Sequence, residues 1–179
     1  MIRAFIAIDI PPSAKDALRM LQDELQSVKA QVKWVDPGNI HITLKFLGNV
    51  DPEKIPQIRE VLTPIAASTR PFMLIPRSCG AFPSIKKIRV IWAGIDGALE
   101  PLRKLQGRIE DSLIELGFEP EARDFRAHLT IGRVKGRKNL QALQQAILDH
   151  QQFQAEAFDV KDIVPVSYTH LTLPTIYSV

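Results

Sequence analysis

The chain opens with an apolar run at residues 3–10 that stops at Pro11-Pro12. A short run bounded by prolines reads as a buried strand. Beyond it, Ala14, Ala17, Leu18, Leu21, Leu25 and Val28 recur at helical spacing, with Lys15, Asp16, Arg19, Asp23 and Glu24 on the other faces. This predicts an amphipathic helix with Ser13 as its N-cap. A short strand follows at 32–35, then a turn at Asp36-Pro37-Gly38-Asn39, then a strand at 41–47 closed by Gly48-Asn49. Asp51-Pro52-Glu53 opens a second helix, with proline and acids in its first turn. Its apolar face is Ile55, Ile58, Val61, Leu62 and Ile65.

The rest of the chain continues the mixture. Strand patterns at 72–75 and 78–82 are separated by Pro76, and another at 88–95 follows the basic loop Lys86-Lys87. Leu99, Leu102, Leu105, Ile109, Leu113 and Leu116 share one helical stripe, with Gly117 placed to end it. A strand at 127–134, a fourth helix marked by Leu140, Leu143 and Ile147, and a last strand at 153–164 complete the pattern. Several strand connections are too short for a helical crossover, so antiparallel pairing is expected. The class is α+β.

One unit occurs twice. His41-Ile42-Thr43-Leu44 leads into a helix near Asp51, and His128-Leu129-Thr130-Ile131 leads into a helix near Asn139. Each is a strand carrying His-x-Thr, a short loop and an amphipathic helix. The echo predicts two similar lobes about a pseudo-two-fold axis, with a ligand crevice between them. Residues i and i+2 of a strand share a face. His41 therefore sides with Thr43, and His128 with Thr130, while the apolar residues between them face a core. Two histidines across a cleft suit general acid–base catalysis, since imidazole titrates at about pH 6.5. The threonine hydroxyls can donate to a phosphate oxygen. A metal site fits less well, because two histidines leave zinc short of ligands.

Composition narrows the setting. The chain has 179 residues, 24% charged and 45% apolar, with net charge +3. These values predict one ordered globular domain and exclude intrinsic disorder. No apolar run reaches transmembrane length, and the N-terminal residues lack the pattern of a secretory signal. The single cysteine, Cys79, excludes an internal disulfide and any multi-cysteine zinc site. A cytoplasmic protein is expected. Residues 164–179 contain no Asp, Glu, Lys or Arg. They read as an atypical, non-native tail beyond a single domain at 1–163. The tail holds a third literal His-x-Thr, His170-Leu171-Thr172, which is set aside because Pro174 follows it and no helix does.

The paired motifs, together with Arg3-Ala4-Phe5-Ile6-Ala7-Ile8, Trp34-Val35, Thr43-Leu44-Lys45-Phe46-Leu47-Gly48 and Arg89-Val90-Ile91-Trp92-Ala93-Gly94, resemble the 2H phosphoesterases. The closer resemblance is to the RNA 2′,3′-cyclic phosphodiesterases, also called 2′-5′ RNA ligases. It covers about residues 2–163. It implies a bilobal α+β fold, with antiparallel sheets flanking a central cleft. It also implies hydrolysis of RNA 2′,3′-cyclic phosphate ends to 2′-phosphomonoesters without metal or cofactor, and 2′-5′ ligation in reverse. By the same resemblance His128 is the general base, His41 the general acid, and Thr43 and Thr130 the phosphate holders. RNA ends, transfer RNA fragments among them, would be the partners of a monomer. The alternatives are a phosphodiesterase for small cyclic or 2′-5′ linked nucleotides, and a binding module without turnover.

Secondary candidates surround the motifs. Lys45 shares parity with His41 and Thr43 and is expected to reach phosphate. Arg126, two residues before His128, is expected on the cleft face as a phosphate contact. Arg133 falls on the opposite parity unless Gly132 breaks the strand. Phe46 and Phe125 are candidates for base stacking, weighed against a core role. Lys86, Lys87 and Arg89, with Lys135, Arg137 and Lys138, are basic clusters that could guide an RNA backbone. Cys79 reads as buried core. His150 reads as a surface histidine at a helix C-terminus.

Overall fold

The computed structural model describes residues 1–167 and 176–178. Its elements run β1 (Ile2–Asp9), α1 (Pro12–Gln26), β2 (Val32–Trp34), β3 (His41–Val50), α2 (Ile55–Ala67), β4 (Phe72–Ser84) and β5 (Lys87–Gly97). There follow α3 (Leu99–Ile114), β6 (His128–Val134), α4 (Leu140–Asp149), β7 (Phe158–Val160), β8 (Asp162–Ser167) and β9 (Ile176–Ser178). The fold is α+β, as the pattern implies, and its strands pair antiparallel in the order β7-β4-β5-β6-β3-β1-β8-β9, with β2 on β6. Only Lys161 separates β7 from β8, although they stand far apart in that order. One residue spans at most about 3.6 Å. The two sides of the sheet therefore curl toward each other and the sheet nearly closes.

Three local features differ from the pattern-based reading. Pro11 takes the N-cap position and Pro12 opens α1, so Ser13 lies inside the first turn. Pro76 does not interrupt β4. It pairs with Ile95, and the irregularity falls next to it, where Ser78 takes φ 69° and the register shifts between Arg77 and Cys79. The strand expected over 153–164 divides in two, β7 on β4 and β8 on β1. The backbone of β8 pairs with β1 from Ala7 to Ala4. The third His-x-Thr of the tail lies outside the described residues.

The repeat is visible as a pseudo-dyad between β3 and β6. It relates β1 to β5, β8 to β4, α1 to α3 and α2 to α4. One lobe is β3-β1-β8 and the other β6-β5-β4, so each takes its third strand from the other half of the chain. Helices cross as well. α3 packs on β3, and α1 reaches β6, where Gln22 Nε2 donates to the Ile131 carbonyl at 2.8 Å. The core lies between sheet and helices. Ile6, Ile8, Ile42, Leu129 and Ile131 bury against Leu18, Leu21, Leu105 and Ile109. Burying each such side chain is worth about 1.5–3 kcal/mol.

Candidate active site

The site begins with one residue pair. Ile42 of β3 lies opposite Leu129 of β6, and both are fully buried. In an antiparallel pair this puts His41 across from Thr130 and Thr43 across from His128. All four side chains therefore rise from the same face, at the corners of one quadrilateral. The histidines sit on its diagonal, where Cα separations are about 7–8 Å. The pseudo-dyad passes through the Ile42–Leu129 pair, carrying His41 onto His128 and Thr43 onto Thr130.

Each imidazole is anchored in the same way. His41 Nδ1 lies 2.8 Å from the Asn39 carbonyl, and His128 Nδ1 lies 2.7 Å from the Arg126 carbonyl. A carbonyl only accepts, so Nδ1 of each ring carries the proton and donates. That leaves Nε2 of each ring as the atom that takes or gives a proton. Burial pushes both imidazoles below the ordinary histidine value. At His41 the Asn39 carbonyl and the Asp9 carboxylate pull back upward, against Lys15 and His128. At His128 the Arg126 carbonyl pulls up and the Arg133 charge presses further down. The nearby carboxylate favours the proton on His41, and the nearby guanidinium disfavours it on His128.

Beyond the motifs both strands carry a β-bulge, at equivalent positions. Ile6 pairs with Lys45 and Ala7 with Thr43, so Leu44 is the extra residue in β3. Ile91 pairs with Gly132 and Trp92 with Thr130, so Ile131 is the extra residue in β6. A bulge reverses the parity of the residues beyond it. Lys45 thereby turns to the core face, a correction to its expected place at phosphate. It is 4% exposed, and its Nζ bonds Glu110 Oε2 at 2.5 Å and the Glu119 carbonyl at 2.9 Å. Phe46 turns to the cleft face instead and is 53% exposed. Its centroid is 6.2 Å from that of Phe5. On β6 the same reversal brings Arg133, opposite Lys33 and Val90, onto the face of His128 and Thr130. The fold holds both bulge carbonyls with glutamine amides from the crossing helices, Gln106 Nε2 on Leu44 at 3.4 Å and Gln22 Nε2 on Ile131.

The floors beside the two histidines differ. Phe5 stacks on His41, with centroids 4.4 Å apart and planes at 19°. Asp9, paired with His41 across the sheet, binds Lys15 at 2.8 Å. Beside His128 the corresponding pair partner is Gly94, where a Cβ would sit 2.7 Å from the Arg77 carbonyl oxygen. The Trp92 ring lies across Gly80, where a Cβ would meet it at 2.3 Å. Phe82 presents its ring at 89° to His128, with centroids 5.0 Å apart. A cavity of about 430 Å³ opens here, with His128, Trp92, Phe82 and Arg126 among its walls. Arg126 precedes β6, outside strict alternation, yet it lines this cavity. Phe125 does not. It is half-buried against the core and lines a smaller cavity of about 210 Å³ with Arg103.

Among the remaining residues named from sequence, Cys79 is buried, and burial pushes its thiol up to about 12. His150 is held by Glu24 through Nε2 and by the Ala146 carbonyl through Nδ1, which fastens α4 to α1. No helix among the described residues is long and apolar enough to cross a membrane. Among them, no group of three or more His, Cys, Asp or Glu side chains is arranged to hold a metal ion.

Fold and site together define a class: a two-lobed α+β protein in which each half contributes one His-x-Thr strand to a shared face. The chain belongs to the LigT like phosphoesterase family, whose sequence profile matches residues 8–92 and 95–164. It is 37% identical over 162 residues to the RNA 2′,3′-cyclic phosphodiesterase of Methanothermobacter thermautotrophicus, covering 90% of this chain and 87% of that one. It is 41% identical over 138 residues to the protein of the same name from Archaeoglobus fulgidus, covering 77% and 75%. Its fold matches the crystal structure of TT0787 of Thermus thermophilus with a TM-score of 0.78, at 21% identity, covering 99% of this chain and 97% of that one.

Proposed function

We propose that the protein hydrolyses 2′,3′-cyclic phosphate ends of RNA to 2′-phosphomonoesters, with His128 as general base and His41 as general acid. The observation that carries this reading is the diagonal pair of imidazoles, each with Nδ1 tied to a backbone carbonyl and Nε2 left for proton transfer. In-line displacement at phosphorus needs a base and an acid on opposite sides. Two pseudo-dyad-related histidines supply that arrangement.

His128 Nε2 takes a proton from water as the water oxygen bonds to phosphorus. His41 Nε2 gives a proton to O3′ as the O3′–P bond breaks. Thr43 and Thr130 donate to the non-bridging oxygens, where negative charge gathers in the transition state. Arg133 adds a cation on the same face, and Arg126 a second at its edge. Phe46 offers an exposed ring for a base to stack on. The names of the relatives support RNA as the substrate class, and transfer RNA fragments with cyclic ends are the first substrates to try. The chemistry calls for no metal or cofactor. Both halves of the site come from one chain, which supports a monomer as the working unit, and composition supports a cytoplasmic setting.

The test is product analysis on an RNA oligomer ending in a 2′,3′-cyclic phosphate, with EDTA present. A 2′-phosphate product that persists in EDTA and disappears in both His41→Ala and His128→Ala is expected. Substantial turnover surviving both substitutions would overturn the reading. Tight binding without product would mark a binding module.

A further inference from the structure

We propose that the buried Lys45–Glu110 pair, together with Gln106, is a positioning cluster that sets the bulge of β3 and so aims the Thr43 hydroxyl at phosphate. The inference rests on the role given to Thr43 above and deepens it. Lys45 Nζ bonds Glu110 Oε2 at 2.5 Å and the Glu119 carbonyl at 2.9 Å. Glu110 Oε1 accepts from Gln106 Nε2 at 3.1 Å, and the same amide donates to the Leu44 carbonyl at 3.4 Å. Glu110 Oε2 also accepts from the Glu121 N–H at 3.3 Å. These bonds run from α3 to Leu44 and Lys45, the two residues that follow Thr43. The side chains of the ion pair are only 2% and 13% exposed.

Stability alone does not call for charge at this place. Well-packed apolar residues often replace a buried ion pair with no loss of stability. The other half of the fold makes the same bulge without one. Gly132 stands on β6 where Lys45 stands on β3. A Cβ there would lie 2.8 Å from Val32 and 3.1 Å from the Trp34 ring. Both belong to β2, which pairs with β6 from Val134 to Gly132 and braces the bulge through its backbone. Among the described residues, β3 has no such brace. It meets β6 at Ile42 and Leu129, and past its bulge it pairs with β1 alone. The segment that Lys45 and Glu110 bind, residues 119–121, forms no helix or strand. The charged cluster thus does for β3 what β2 does for β6. A bulge free to shift would carry Thr43 with it, and a misplacement of about 1 Å costs about 10²-fold in rate.

The test is a cycle of variants assayed on an RNA oligomer with a cyclic phosphate end. Lys45→Met/Glu110→Leu replaces both charges with apolar chains of similar size, so its denaturation midpoint should stay near the native one. Its kcat should fall about tenfold or more, with KM within about twofold. In a Thr43→Val background the same pair of substitutions should cost less than about twofold, because the hydroxyl it aims is gone. In a Thr130→Val background the full loss should remain. Equal losses in all three backgrounds overturn the proposal, and so does a loss confined to KM. Gln106→Met leaves both charges in place and decides the outcome if the paired variant does not fold. It should lower kcat about threefold, the size of one neutral hydrogen bond, and again only where Thr43 is present. A native kcat in Gln106→Met, or the same loss with and without Thr43, then overturns the proposal. Each of these results leaves the phosphodiesterase reading intact. A Thr43→Val protein with native kcat would remove both the inference and the role given to Thr43.

Discussion

The two halves of the site carry the same pair of side chains on different ground. His41 lies face to face on Phe5, beside a carboxylate that is itself held by Lys15. His128 lies perpendicular to Phe82, beside a glycine, a cavity and two arginines. In the proposed mechanism the dyad provides geometry, since it would set two proton carriers on opposite sides of one phosphorus. It does not provide direction, because a symmetric pair has no acid and no base. Under the same reading, direction would come from the residues where symmetry fails, Asp9 against Gly94 and Phe46 against Arg133.

The strongest way to break the comparison is to remove each imidazole separately. His41→Ala and His128→Ala should each lower kcat by about 10²–10⁴-fold on a cyclic phosphate. With a nucleoside 2′-phosphodiester carrying a p-nitrophenolate leaving group, which departs without a proton, His41→Ala should recover most of its rate and His128→Ala should not. Equal recovery of both would show that the roles are not divided. Lys45→Met tests the supports of the β3 half. It leaves the Glu110 carboxylate with the neutral donors Gln106 Nε2 and Glu121 N–H and no cation, at a cost of about 3 kcal/mol in chemical denaturation. Thr43→Val and Thr130→Val should each cost about 10²-fold in kcat with little change in KM, and a larger effect on KM would point to ground-state binding.

The pH profile sharpens the comparison further. Both imidazoles are lowered by burial, so kcat/KM should trace a bell centred on the acid side of about 6.5. On the proposed roles the acid limb would be protonation of His128 and the alkaline limb deprotonation of His41. Asp9→Asn removes a group that raises His41, so the alkaline limb should move down. Arg133→Gln removes a charge that lowers His128, so the acid limb should move up. Opposite displacement of the limbs distinguishes this from a general loss of structure. The smallest effect is expected away from the site, at His150. The Glu24 hydrogen bond, the Ala146 carbonyl and neighbouring carboxylates raise its pKa. Its pairing therefore stabilises fully below the unfolded value of about 6.5, and the gain is lost as pH rises through the higher folded value. His150→Gln should cost less than about 1 kcal/mol, and thermal melts at acid and alkaline pH should show the difference narrowing upward.

The motifs are legible because strand periodicity has a period of two, and four polar residues at matching parity on apolar strands have no packing role to play. Beyond Leu44 and Ile131 that logic fails by one residue. Simple alternation carried past the bulge puts Lys45 at phosphate and Arg133 away from it. The signal that could have found the bulge is Lys45-Phe46 itself, followed by buried Leu47: an extra residue is needed to keep both Leu44 and Leu47 in the core. The ends of the fold are obscured for a different reason. Residues 153–164 hold two strands separated by Lys161 alone, and nothing in a continuous pattern announces that they belong to opposite sides of a nearly closed sheet.

The exchange of third strands between lobes has a consequence in time. β1 is made before β8, which pairs along its edge, with the whole of β2 to β7 between them. Until residues 162–167 emerge, the first lobe carries an open edge with unpaired backbone groups, the condition that favours pairing with another chain. The motif on β3 therefore waits on a strand made well after it. Nascent chains halted before residue 162 should be inactive and captured by chaperones, and release of a few further residues should switch on both lobes at once.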